Sequence, residues 1–279
     1  MAMTESIPLR SSRLWIWLSI AAAVLAIAGN VIALTSASIY ARLTPAFLPQ
    51  ALAQDIASLA VVAPAWLILA VLALRGSLRA YLLWLGVLAF TVYNYVIYTF
   101  SVPFGPLFLL WVTVFGLSLY SLIGGVAAAD HRSVQAAFSS ERAAKISAWF
   151  LIVVGILFAL LWLSEDVPAL LAGKMPKSVV DMGLPTNPVH ILDLSFFLPA
   201  VFITGWLLLN RRALGYTLAP AFLVFLILTG IPILITPLVQ AQRGEVAGWA
   251  VMAPIGTLSL VLLCLLVWLM TTMRAPKGS

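Results

Sequence analysis

The sequence predicts an all-α membrane protein: a bundle of eight transmembrane helices, built as two parallel four-helix repeats, with both termini on the cytoplasmic side. Three observations lead there. Of the 279 residues, 63% are hydrophobic and 9% charged, with a mean hydropathy of +1.12; soluble domains carry roughly a quarter charged residues. Eight apolar runs are each long enough to cross the hydrocarbon of a bilayer. Lys and Arg gather in alternate loops, as the positive-inside rule requires. The chain reads as one integral membrane domain, 1–279, with the first repeat over 1–140 and the second over 141–279.

Arg10 and Arg13 precede the first apolar run, 14–36, which exceeds the usual 7–15 residues of a signal-peptide core, so an uncleaved first span is expected. A loop to Gln54 follows, where Pro45 and Pro49 are placed to break any helix. The second span, 55–74, is closed by Arg75, Gly76 and Arg79, and the third, 80–100, ends in TVYNYVIYTF. The fourth covers 107–128, and the hydrophilic stretch 130–145 leads into the fifth, 146–163. Next comes the longest polar loop, 164–187, in which PALLAGKMPKSVVDMG is read as a short interfacial helix. The sixth span is 188–209. The seventh, 214–239, contains Pro220, Gly230, Pro232 and Pro237, so its outer half is expected to be kinked or partly unwound. The eighth runs over 246–272.

Eleven of the fifteen Lys and Arg residues, from Arg10 and Arg13 to Arg274 and Lys277, fall on the side of the termini. The other four are Arg42, Lys174, Lys177 and Arg243, so the long loops face outward. The net charge of +6 and pI near 9.8 therefore describe one face of a membrane protein and do not point to nucleic acid. The single cysteine, Cys264, gives no disulfide framework and no thiolate metal cluster. The sequence has no serine-nucleophile motif, P-loop or dinucleotide fingerprint. One intramembrane histidine with two carboxylates is too few ligands for a zinc hydrolase, and His131, on the cytoplasmic side, excludes haem held by paired histidines. No cofactor, metal or catalytic residue is expected. The expected partners are the lipid bilayer and a small solute or cation.

The halves match at a displacement of about 135 to 136 residues. Leu48-Pro49 answers Leu184-Pro185, Pro64-Ala65 answers Pro199-Ala200, Arg75 answers Arg211, Tyr81 answers Tyr216 and Gly116 answers Gly256. Repeats of four spans share one orientation, so their pseudo-two-fold would run along the membrane normal. Asp55 then falls opposite His190 and one turn from Asp193. If spans two and six meet at the axis, these three groups come together near the outer surface.

TNPVHILD reads as a helix start, with Asn187 or Thr186 as N-cap and Pro188 at the first helical position. His190 and Asp193 lie three apart, on one helix face. Asp193 sits about 7 Å below the helix start, near the hydrocarbon boundary, where a lipid-facing carboxylate is costly. The pair suits proton or cation binding. It equally suits a structural role in which Asp193 accepts a hydrogen bond from His190 or a tyrosine. Asp55 and Asn94 complete the main set, with Asn30, Tyr98 and Asn187 as secondary candidates. All fall in the outer half, with no polar group in the inner half. Tyr93, Tyr95 and Tyr98 read as an interfacial aromatic belt, and His131 as a solvated loop residue.

The run LPTNPVHILDLSFFLPA, with LRGSLRAYLLWLG and YNY upstream, resembles an uncharacterised family of bacterial multi-pass inner-membrane proteins. The resemblance covers most of the chain. It implies a bacterial cytoplasmic membrane, and no activity or functional residues.

The leading expectation is a small-solute or proton-linked permease. Its outward polar pocket would be built from Asp55, Asn94, His190 and Asp193, with a broken seventh span as moving part. One alternative is a non-catalytic sensor, assembly or partner-binding protein that uses its outward loops. Another is a membrane enzyme acting on a lipid or quinone with His190 as general base, and the balance leans away from an enzyme. Transport predicts a cavity reaching the midplane, a partner protein an apolar patch on the loops, and an enzyme a lateral opening beside His190.

Overall fold

The computed structural model describes residues 9–274, with side chains from residue 12 onward. Arg10, as a side chain, and Lys277 lie outside the described residues. Eight helical spans are long and apolar enough to cross a membrane, and no strand occurs among the described residues. The first span is α1 (Leu9–Thr35). The second is continuous through α2 (Leu48–Ala57), a π-helical stretch (Ser58–Val62) and α3 (Ala63–Leu74). Then come α4 (Leu78–Ser101), α5 (Phe108–Ala128), the short α6 (His131–Ala137) and α7 (Glu141–Leu171). A short α8 (Lys177–Met182) precedes the sixth span: α9 (Pro188–Leu192), a second π-helical stretch (Asp193–Phe197) and α10 (Leu198–Leu209). The last two spans are α11 (Ala213–Gln242) and α12 (Met252–Thr271), the latter entered through a 3-10 turn at Trp249–Val251. Large apolar side chains point away from the bundle, among them Ile68, Leu157, Leu160, Leu260 and Leu263. That inversion is stable only where the surrounding solvent is lipid.

Several features differ from the sequence expectation, the start of the eighth span at Trp249 among them. The second span begins at Leu48, seven residues before Asp55, because Pro49 occupies the first turn, where no N–H is needed. The fifth span starts at Glu141, capped by Ser140, and continues through Pro168 to Leu171, absorbing most of the expected PALLAG loop segment. The seventh span is an unbroken helix despite Pro220, Pro232 and Pro237, so it is not partly unwound. His131 heads a helix, with its Nδ1 2.9 Å from Thr217 Oγ1, and is half-buried rather than a solvated loop residue.

The two π stretches share a cause. Each lies immediately before a helix with proline in its first turn, Pro64 or Pro199. A proline ring clashes with the carbonyl four residues back. The preceding N–H instead reaches five residues back, from Ala63 to Ser58 and from Leu198 to Asp193. The stretches begin 135 residues apart, 193 minus 58, which is the displacement of the sequence matches. The turns that close the two spans also correspond: Gly76 (φ 95°) and Arg211 (φ 52°) are both left-handed. This register pairs Arg211 with Gly76 rather than with Arg75.

At the centre, α4 and α11 form the main contact between the halves. A Cβ on Gly86 would lie 2.5 Å from both the Ala221 carbonyl oxygen and Val224 Cβ, so only glycine allows this approach. Gly205 does the same for α10 on α7, where a Cβ would meet the Ala148 carbonyl at 2.7 Å. The helix ends define two faces. One carries Arg75, Arg79, Arg132, Arg142, Lys145, Arg211 and Arg212, hereafter the arginine-rich end. The other carries the loops 36–47 and 172–187, hereafter the long-loop end.

Candidate functional site

The sixth span starts at the long-loop end as expected. Asn187 is its N-cap, accepting from the backbone N–H groups of Val189 (3.0 Å) and His190 (3.3 Å), and its amide donates to Ser178 Oγ at 3.0 Å. Pro188 follows in the first turn. This fixes the helix start and holds His190, 4% exposed, against α7.

The partners of His190 come from α7. Its Nδ1 lies 2.9 Å from Asp166 Oδ1, and its Nε2 3.8 Å from Glu165 Oε2. Trp162, one turn before Asp166, stacks on the imidazole with centroids 4.5 Å apart and planes 28° apart. The Trp162 indole N–H donates to Asp193 Oδ2 at 2.8 Å, and the Tyr93 hydroxyl of α4 faces the same carboxylate. Glu165 is held in turn by the Ser178 backbone N–H at 2.9 Å. The groups form a descending series. Asp166 and Glu165 are about a third exposed, while His190 is buried against them and Asp193 is buried about one turn further along the sixth span. Beneath Asp193 lies an aromatic floor of Tyr93, Phe197 and Phe225, with Phe197 stacked on Phe225 at 4.7 Å.

Asp55 belongs to a different cluster. It is fully buried, and its carboxylate accepts from the hydroxyls of Tyr40 (2.8 Å) and Tyr98 (2.7 Å). Burial, reinforced by the neighbouring carboxylate, pushes the Tyr40 hydroxyl above its usual range, so it stays protonated and donates. The sequence expectation that Asp55 meets His190 and Asp193 rested on spans two and six meeting at the axis. The structure instead sets α4 against α11 at the centre, and each acidic group takes its hydroxyl partners from α4 or its own half. Helical geometry explains the division: at about 100° per residue, Tyr93 lies nearly opposite Tyr95 and well away from Tyr98. Tyr93, Tyr95 and Tyr98 are 3–5% exposed, so they line the interior and are not an interfacial belt.

Asn30 and Asn94 do come together. With Ser58, Trp66, Thr91 and Tyr95 they line a small cavity between α1, the first π stretch, α3 and α4. The half of the bundle toward the arginine-rich end is less apolar than expected, too. Ser147 and Thr204, both fully buried and without a hydrogen-bond partner, lie on α7 and α10 near the Ala148–Gly205 contact. They continue the α7–α10 seam about 16 Å below Asp193, at 1.5 Å per residue. Leu151, Leu198 and Val201 fill the seam between.

Sequence reasoning missed Trp162, Glu165 and Asp166 because the fifth span was closed at residue 163. The available signal was WLSED itself: Trp162 and Asp166 share a helix face if the helix continues. Among the described residues, no group of three His, Cys, Asp or Glu side chains is arranged to hold a metal ion. No protein-family model matches the chain, and no curated protein or solved structure matches it.

Proposed function

We propose that this chain is a proton-linked permease for a small cation, with its binding site at the long-loop end of the α7–α10 seam. The observation that carries this reading is the acid–histidine series Asp166, Glu165, His190, Asp193, which runs from partly exposed to buried. Ionisable residues inside a membrane are costly, and among the described residues no Lys or Arg forms an ion pair with these. Three carboxylates around one imidazole favour a cation or a proton over an anion. Asp193 is positioned to accept from Trp162 and Tyr93 while it holds that charge. The apolar side chains of Leu151, Leu198 and Val201 would close the seam below Asp193 in this state. Opening of the seam toward Ser147 and Thr204 would complete alternating access. The Lys and Arg bias supports placing the long-loop end outside a bacterial cytoplasmic membrane. The matched π stretches and left-handed turns support a duplication of four spans, with its axis between α4 and α11.

The test is reconstitution into liposomes that enclose a pH-sensitive dye, with imposed gradients of sodium, potassium or ethanolammonium. The reading expects at least one of these to drive proton movement well above protein-free liposomes. It fails if none does.

A second reading has its own observation. Leu170 and Leu171 are 78% and 82% exposed at the long-loop end, close to the exposed Met175 and Val180. An apolar patch there suits a protein partner. That reading expects charge substitutions at Leu170 and Leu171 to abolish co-purification of a partner while leaving cation-driven proton movement absent in every variant.

A further inference from the structure

Seven buried side-chain polar atoms among the described residues have no hydrogen-bond partner, and three of them line one cavity: Asn30 Nδ2, Trp66 Nε1 and the Tyr95 hydroxyl. Trp66 is 1% exposed, Asn30 and Tyr95 3% each. Two other buried polar groups in the same half, close to the cavity in sequence or on its wall, are paired. Trp84 Nε1 donates to Ser19 Oγ at 3.0 Å, and Thr91 Oγ1 to the Val87 carbonyl at 2.8 Å. Ser58 and Val62, the two ends of the first π stretch, line the cavity, which has space for about one water molecule.

The chemistry of the occupant follows from its walls. An indole N–H can only donate, so whatever meets Trp66 must accept. No Lys, Arg or His lines the cavity, and the Asp55 carboxylate lies one turn before Ser58 on the same span. An anion there would be both desolvated and repelled. The space admits one oxygen atom and little more. We propose that this cavity is a binding site for a single uncharged oxygen acceptor, a water molecule in the protein at rest, held by Asn30, Trp66 and Tyr95. Buried waters of this kind make two to four hydrogen bonds to groups otherwise left unpaired, which matches the three orphaned atoms. The site brings water to within one turn of Asp55, in the half of the bundle that does not contain the His190 series. It goes beyond the proton-linked reading of the α7–α10 seam and stands on other residues, so either can fail without the other.

The experiment is nuclear magnetic resonance of the full chain in lipid nanodiscs, labelled with 15N at the tryptophan indoles. The Trp66 resonance is identified by its loss in Trp66→Phe. The expected result is a cross-peak between the Trp66 indole proton and water, with none at Trp84, which is buried and already bonded to Ser19. Tyr95→Phe should shift the Trp66 resonance and lower the melting temperature, because it removes one of the groups that hold the water. A Trp66 resonance with no water cross-peak would overturn the proposal. So would a Tyr95→Phe protein that melts higher than the parent, as expected when an orphaned hydroxyl is deleted from a dry site. The second measurement decides the matter if Trp66→Phe does not fold.

Discussion

His190 and Asp166 are joined at 2.9 Å through Nδ1 and Oδ1, across the packed face of α9 and α7. The contact ties the start of the sixth span to the extended end of the fifth. Glu165 approaches the other ring nitrogen only to 3.8 Å and is a third exposed. Asp166→Ala should therefore cost about 1–2 kcal/mol of stability, since it leaves a buried ring nitrogen unpaired. Glu165→Gln should cost less than about 0.5 kcal/mol. Denaturation of the two variants in detergent ranks them directly, and equal losses would show that the imidazole is not held as described.

Asp55 depends on two tyrosines from different elements, one in the loop after α1 and one near the end of α4. Each hydrogen bond to a buried carboxyl group is worth about 1.5–3 kcal/mol. Tyr40→Phe and Tyr98→Phe should each lose an amount in that range. The double variant should lose less than the sum of the two, because they share one acceptor. Full additivity in a double-mutant cycle would mean that the two hydroxyls do not act on the same group.

Two glycines in membrane-spanning helices should behave oppositely. Gly86→Ala places a methyl 2.5 Å from the Ala221 carbonyl and should force α4 from α11, costing about 1–3 kcal/mol. A Cβ on Gly116 of α5 meets nothing within 4 Å. Gly116→Ala should be neutral or stabilising by up to about 1 kcal/mol. Melting temperatures that fall alike would contradict the packing at the centre.

At the arginine-rich end, partial burial lowers the pKa of His131 below its ordinary 6.5, against the opposing effect of Asp130. The unfolded chain then binds the proton more readily than the folded one. Stability should be full above pH 6.5 and decline on acidification from there toward the lowered folded value. His131→Gln should flatten this part of the stability profile. A profile that falls equally in the variant would place the dependence elsewhere.

The eight spans and the helix start at Asn187–Pro188 were legible because hydropathy and capping are local properties. The lower boundary of the second span was not, because Pro49 reads as a breaker until its place in the first turn is known. The displacement that sets Asp55 opposite His190 recurs between the two π stretches, but the two side chains have different partners and do not meet. Sequence displacement does not say which spans meet at the centre, and Gly86, which marks the α4–α11 contact, looks like any other helical glycine. The tyrosines of YNY were misplaced for a related reason. Aromatic residues near a span end suit an interface equally well, and only the packing around α4 sends Tyr93 to Asp193, and Tyr98 to Asp55.

The central claim is that protons and a cation exchange along the His190–Asp193 series, and that Asp55, sealed between Tyr40 and Tyr98, takes no part. The most direct measurement compares cation-driven proton movement in liposomes for the parent, Asp193→Asn and Asp55→Asn, each confirmed monodisperse before reconstitution. The account predicts at least a tenfold slower signal for Asp193→Asn and a rate within about twofold of the parent for Asp55→Asn, corresponding to differences of more than about 1.4 and less than about 0.5 kcal/mol. Undiminished movement in Asp193→Asn, or loss confined to Asp55→Asn, would contradict it.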